Sequence, residues 1–213
     1  VVVSGSVGDG PVTGATIEVW NSKGAVIGSL TSQSDASFKR SFRVRNSEYP
    51  LLLKVHGGID LVTGREPDFQ MVSVMRTRRD RQVNINPFTT LAVKIAQLLP
   101  GGMTNSNITA AQVIVTEKLG FGLDLNLVAD PITTEVTEVN VASLVKASEA
   151  LGEMVRRTRD LVSRSGSPVS GDAVIAALAA DMTDGLLDGR GEAGSGADFF
   201  GGRSGAGFQF RGC

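Results

Sequence analysis

The residues from which catalytic and transition-metal sites are most often built are nearly missing. His56 is the only histidine and Cys213 the only cysteine among 213 residues. A cluster of imidazoles and thiolates around a transition metal therefore has no members. A Ser-His or Cys-His pair has a single candidate base, His56, and a lone histidine after an apolar strand more commonly serves structure. One cysteine leaves no internal disulfide. Low cysteine content suits the cytosol and many exported bacterial proteins alike, so it does not decide the compartment. The Cys213 thiol could pair between molecules, the competing reading being an unpaired terminal residue. Aromatic residues make up only 5 % of the chain, so cores must be built from Val, Leu, Ile and Ala. Neither sign of charge is in excess, the formal net charge being −1, which argues against a general affinity for nucleic acid or anionic membrane. No apolar run approaches the ~20 residues of a membrane span. No signal-peptide pattern stands before Val1-Val2-Val3, which reads as a first strand. The expectation is a cytosolic protein or a mature form after signal removal.

What is present is organised around Val83-Asn84-Ile85-Asn86-Pro87-Phe88-Thr89-Thr90-Leu91-Ala92. Before it, apolar residues alternate with polar ones; after it, they fall at helical spacing. Val83 and Ile85 read as a last half-buried strand that Pro87 stops, because proline has no N–H for a ladder. Thr89 or Thr90 can cap the first helix. Phe88 and Leu91 are expected buried where the two parts meet.

Residues 1–87 predict an antiparallel β-sandwich of about seven short strands. Gly8-Asp9-Gly10-Pro11 and Asn21-Ser22-Lys23-Gly24 are turn signals. Ile17 and Val19 alternate inward against Thr16, Glu18 and Trp20. Phe38, Arg40, Phe42 and Val44 would share one face. Residues 50–55, 69–75 and 82–85 supply the last strands. Residues 88–183 predict a small bundle of four helices. The second starts at Thr109, with Gln112 completing a capping box, and carries Val113, Ile114 and Leu119. Asn107-Ile108-Thr109 is formally a glycosylation sequon. Residues 121–131 form a loop with buried leucines. The long helix after Asn140 carries a stripe from Val141 to Val162, with Arg156, Arg157 and Arg159 towards its C-terminal end, where the dipole favours them. The last helix runs over residues 172–182. The fold class is thus α+β, with segments 1–87, 88–183 and a Gly/Phe-rich tail at 184–213.

Ten of the thirty tail residues are glycine, interrupted by Phe199, Phe200, Phe208 and Phe210. Such a segment has much entropy to lose, so a partner must hold it if it is to order. Phe208 and Phe210 share a face when extended, which suits a sheet edge or a groove, in a neighbouring copy by preference.

Taken together, Ser4-Gly5-Ser6-Val7, Asp9-Gly10-Pro11-Val12, Gly14-Ala15-Thr16-Ile17, Gly24, residues 31–38, Tyr49-Pro50, Val55, Gly57-Gly58 and the 83–92 stretch carry a resemblance. So do Phe121-Gly122-Leu123 with Asp130-Pro131, and Ala180-Asp181-Met182-Thr183-Asp184-Gly185 with Leu187-Asp188-Gly189. The chain resembles bacterial exported surface proteins that begin with a carboxypeptidase-regulatory-like (transthyretin-type) β-sandwich followed by a helical domain. The resemblance covers most of residues 1–190. It departs from the family at Ala36-Ser37, where a Gly is common, and beyond Gly191. It implies export, an extracellular or cell-surface location after signal removal, and a structural or adhesive role without implying chemistry.

Two charged groups compete for attention. Asp181, Asp184 and Asp188, with Glu192, offer hard oxygens around turns that could bind Ca²⁺, although the spacing is not that of an EF-hand. A solvated acidic helix end is the competing reading and carries the larger weight. Arg76, Arg78, Arg79 and Arg81 flank Asp80 in an expected hairpin tip. Without interleaved aromatics they do not suggest nucleic acid; a basic tip meeting the acidic end of a neighbour is the reading preferred. The glycine pairs do not sit in a strand-to-helix phosphate loop. The functional expectation is a non-enzymatic subunit of a bacterial extracellular filament or surface layer, self-assembling through sheet edges and the tail (Phe199, Phe200, Phe208 and Phe210), with Arg76, Arg78 and Arg79 as further contacts. No cofactor is expected beyond the Ca²⁺ candidate. The alternative is a carbohydrate- or surface-binding accessory module of a larger exported protein.

Overall fold

A computed structural model describes residues 1–166 and 168–190. Strands come first and helices follow, giving a mixed α+β architecture with antiparallel sheets. The strands are β1 (Val2–Ser6), β2 (Val12–Thr13), β3 (Thr16–Trp20), β4 (Val26–Thr31), β5 (Ser37–Ser41), β6 (Leu51–His56), β7 (Ile59–Asp60) and β8 (Val72–Met75). The helices are α1 (Pro87–Leu98), α2 (Asn105–Leu119), α3 (Val141–Arg164) and α4 (Gly171–Asp181).

Alternation works as the period-2 geometry of a strand requires. Ile17 and Val19 are fully buried while Thr16 is exposed. β3 is paired on both sides, so the larger sheet has the order β4-β3-β6-β8. β1 pairs with β5, and β2 with β7. The expected shared face of Phe38, Arg40, Phe42 and Val44 does not form, because β5 ends at Ser41 and Arg40 is exposed.

Residues 82–85 are not a strand of an antiparallel pair. Val83 N–H donates to the Ser4 carbonyl (2.8 Å), and Ile85 N–H donates to that of Ser6 (2.8 Å). Gly8 N–H in turn donates to the Ile85 carbonyl, and the Val7–Ile85 bridge is parallel. Asn84 N–H turns the other way, to the Ile132 carbonyl (2.7 Å). Gly5 permits the approach, since a Cβ there would overlap the Val83 carbonyl.

The cap of α1 is Asn86 rather than Thr89 or Thr90. Its side chain accepts the Thr89 N–H (2.9 Å), the Thr89 hydroxyl accepts the Asn86 N–H (3.0 Å), and Pro87 occupies the first turn. The two threonines have another task. Thr89 Oγ1 donates to the Val72 carbonyl (2.8 Å), and Thr90 Oγ1 accepts the Val72 N–H (3.0 Å), which binds α1 to β8. Phe88 and Leu91 are buried, as expected.

α2 starts earlier than Thr109. Thr104 caps it, accepting the Asn107 N–H (3.2 Å), and Asn107 Nδ2 ties down the carbonyls of Pro100 and Gly102. Its buried face is Ile108, Ala111, Val115 and Leu119; Val113 is exposed. Gln112 closes no capping box: its Nε2 donates to Asp130 (2.5 Å). Leu123 is buried in the following loop, but Leu125 and Leu127 are exposed. α3 buries Leu144, Ala147, Ser148, Leu151, Gly152 and Val155, while Val141 and Leu161 at its two ends are exposed. Ser170 caps α4, which buries Val174, Ile175 and Ala179.

One continuous apolar core runs from Val3 through Ile17, Phe38 and Leu53 to Phe88, Ile95, Leu151 and Met182. α1 lies within it, with nine buried residues. Among the described residues no helix is long and apolar enough to cross a membrane.

Candidate functional site

The most unusual chemistry lies where the turn after β1 meets α3. The turn is anchored at both ends: Val12 N–H donates to the Val7 carbonyl (3.0 Å) and Leu61 N–H to that of Pro11 (2.9 Å). This geometry places Asp9 inward, 2 % exposed. α3 accepts it only because residue 152 is glycine; a Cβ there would overlap the Asp9 carboxylate. Gly10 is equally confined. A Cβ on it would stand 2.5 Å from both Asp60 Oδ1 and Glu149 Oε1, so those two oxygens also converge.

The partners are unequal. Asp60 is buried but satisfied, accepting the Val62 N–H (2.8 Å) and the Thr63 hydroxyl (2.9 Å). Asp9 Oδ1 and Glu149 Oε1 are buried with no hydrogen-bond partner among the described residues. The nearest cation, Arg156, has Nη2 3.9 Å from Asp9 Oδ2, beyond hydrogen-bond length. Its other nitrogens are committed: Nε to Asp68 (2.7 Å) and Nη1 to Glu153. Arg159 also pairs with Asp68. Burial, reinforced by the charges of Glu149 and Asp60, pushes the Asp9 carboxyl up to about 8 against the pull of Arg156. Burial and the charge of Asp60 push Glu149 up as well. Burial also acts on Asp68, but the hydrogen bonds of Arg156 and Arg159 outweigh it and hold that carboxyl below the usual range. The cluster can therefore keep a proton at neutral pH. Asp9 is too enclosed to touch a substrate.

The residues singled out by sequence fall elsewhere. Arg76 is half-buried and binds Asp130 (2.9 Å) and Gln112 (3.3 Å), so it stitches the 76–80 turn to α2 and the loop after it. Asp80 accepts the backbone N–H groups of Arg76 and Thr77, closing a turn that leads back to β1 and is not a hairpin tip. Arg78 and Arg79 are exposed. Asp181 Oδ1 and Asp188 Oδ1 both accept the Arg190 N–H, at 2.8 and 3.0 Å, and Asp184 Oδ1 accepts that of Leu186. Among the described residues no group of three His, Cys, Asp or Glu side chains is placed to hold a metal ion. Phe199, Phe200, Phe208, Phe210 and Cys213 lie outside the described residues. His56 sits on the outer face of the larger sheet, with Nε2 3.3 Å from Glu18 and Nδ1 3.2 Å from Gln70 Nε2. Beside it, Trp20 donates to Glu18 (3.2 Å) and carries the Lys54 ammonium 4.0 Å from its ring centroid.

No protein-family model, curated protein or solved structure matches this chain.

Asp9 and Glu149 were not evident from sequence. Asp9 stood in a turn signal, where Asp is ordinary, and Glu149 in a helix rich in charge. Two glycines gave a faint cue: Gly10, whose φ is not in the left-handed region, and Gly152 in the interior of a helix. Neither is there for conformational freedom, which leaves close approach as the reason.

Proposed function

We propose that this chain is a non-enzymatic structural module of a bacterial surface layer or extracellular filament. In this reading the strands form a carboxypeptidase-regulatory-like sandwich, the helices a small bundle packed on it, and copies join through a sheet edge. The observation that carries the proposal is the contrast between the two ends of the larger sheet. β8 has its Val72 backbone taken by Thr89 and Thr90. Among the described residues β4 pairs only with β3, and Val26, Ser29 and Thr31 along it are exposed. An uncovered edge of this kind is a template for a further strand. The Arg40 guanidinium binds the Ser29 carbonyl and the Phe42 ring packs against Gly28, and an incoming strand displaces the guanidinium.

A second observation supports the resemblance. Ala36, which stands where the family commonly has Gly, has φ +62°, the left-handed region that favours glycine. The turn is otherwise intact, with Ala36 N–H donating to the Gln33 carbonyl (3.0 Å).

The test is light scattering with electron microscopy of the purified chain. Concentration-dependent oligomers or polymers are expected, lost in Ser29→Lys/Thr31→Lys and increased in Arg40→Ala, with circular dichroism unchanged. A strictly monomeric protein, or assembly indifferent to both changes, overturns the edge reading. Deleting residues 197–213 separates the contribution of the tail phenylalanines from that of the edge. A glycan-binding module is the alternative reading, favoured by the Trp20–Lys54–Glu18–His56 face. Retention on a glycan column, lost in Trp20→Ala, would move the proposal to it.

A further inference from the structure

The turn at residues 8–11 and α3 meet through acids that cannot all be charged. Around Asp9 stand Asp60 from β7, Asp68 from the loop before Gln70, and Glu149, Glu153 and Arg156 from α3; Arg159 stands behind Asp68. Four carboxyls thus join Asp9 against two guanidiniums. Those two are already bonded to Asp68, Glu153 and Asp160. Asp60 has hydrogen-bond donors of its own. Of these carboxyls, Asp9 and Glu149 each keep a buried oxygen, Oδ1 and Oε1, with no hydrogen-bond partner among the described residues, from opposite sides of the contact. An ionised Asp9 would be a charge without water, with a cation only at 3.9 Å. A proton removes that charge and makes one oxygen a donor, for which the Glu149 carboxylate is an acceptor without another partner. Gly10 leaves room for Asp60 Oδ1 and Glu149 Oε1, and Gly152 leaves room for the Asp9 carboxylate.

We propose that Asp9 and Glu149 share one proton, and that this hydrogen bond is a latch that holds the 8–11 turn on α3 and opens when the proton leaves. A carboxyl–carboxylate pair of this kind titrates as a unit. The latch is closed in acid and neutral solution and opens under alkaline conditions. Opening exposes the turn and the middle of α3 without dissolving the rest of the core, since Leu144, Leu151 and Val155 still bury α3.

The decisive measurement is a carbon-13 titration of the side-chain carboxyls in the full chain. The Asp9 midpoint is expected above pH 7, falling in Glu149→Gln as a like charge is removed. An ordinary midpoint near 4 overturns the proposal. Hydrogen exchange, corrected for its intrinsic pH dependence, should show residues 8–12 and 147–155 losing at least tenfold protection between pH 6 and pH 9. Asp9→Asn, whose amide donates at every pH, should abolish that loss. Equal loss in Asp9→Asn, or none in the wild type, overturns the latch. Calcium chloride added at pH 8 is the control. A calcium-dependent rise in melting temperature that Asp9→Asn removes would mean that a cation, not a proton, closes the contact, and overturns it too.

Discussion

Asp130 and Asp9 are both enclosed carboxylates beside an arginine, yet their protons behave oppositely. Asp130 is pushed up by burial, but Arg76, the Ile132 N–H and the side chains of Thr133 and Gln112 outweigh this and hold it below the usual range. Its oxygens accept from Arg76 (2.9 Å), Gln112 (2.5 Å), Ile132 N–H (2.8 Å) and Thr133 N–H (3.3 Å). Asp9 has an arginine at 3.9 Å, an oxygen with no donor, and acids for neighbours. The proximity of a cation therefore does not settle the charge of a buried carboxyl. The count of donors does, because each hydrogen bond replaces a water that burial removed.

The sharpest break of the comparison is to neutralise each acid in turn at pH 8. Asp130→Asn removes charge-assisted bonds and should destabilise by about 2–3 kcal/mol. Asp9→Asn removes a charge that the fold opposes and should stabilise, so the two variants move the denaturation midpoint in opposite directions. Equal signs would erase the distinction.

The pH dependence separates them next. The unfolded Asp9 carboxyl ionises near pH 3.9, roughly its ordinary value. The folded one does so at about 8. Between these the folded state holds the extra proton, so this group's contribution to stability is greatest below the lower value and is lost as pH rises to the upper. Asp130 and Asp68, whose folded values are lowered, act in reverse: their contribution is present above the ordinary carboxylate range and is lost as pH falls through their folded values. Urea unfolding from pH 3 to 9 should give a maximum near pH 5. Asp9→Asn should flatten only the alkaline limb, and Asp130→Asn only the acid one.

A smaller effect tests the steric half of the contact. Gly152→Ala should cost about 1–3 kcal/mol, since its Cβ overlaps Asp9. In an Asp9→Ala background the same change should stabilise by up to about 1 kcal/mol, the helix preference of Ala over Gly. That reversal in a double-mutant cycle distinguishes close approach from a general intolerance of α3. The smallest effect is the backbone control at the other turn. Ala36→Gly should gain about 0.5 kcal/mol, the relief of a left-handed Ala less the greater freedom of Gly when unfolded.

Much of the architecture was legible because it rests on local periodicity. Ile17 and Val19 alternate, Leu144, Leu151 and Val155 repeat at helical spacing, and Pro87 marks the passage from strand to helix. Local patterns misled where a polar side chain had two uses. Thr90 and Gln112 suit helix caps, but in the fold they serve β8 and Asp130, while Asn86 (with Thr89 closing its capping box) and Thr104 cap. Arg156 at the end of a helix looked like a partner for the dipole and is instead held by Asp68, 88 residues away.

By itself the sequence determined the fold class, the order of strands and helices, and the burial of Phe88 and Leu91 at their junction, because hydrophobic burial follows patterns only a few residues long. Only the tertiary structure decided that residues 82–85 run parallel to β1. It alone decided that Thr89 and Thr90 take the Val72 backbone at the β8 end of the sheet, and that Asp9 lies against Gly152 across 143 residues of chain. The ionisation of a carboxyl depends on how many donors and charges the whole fold brings to it, and no window of sequence contains that number.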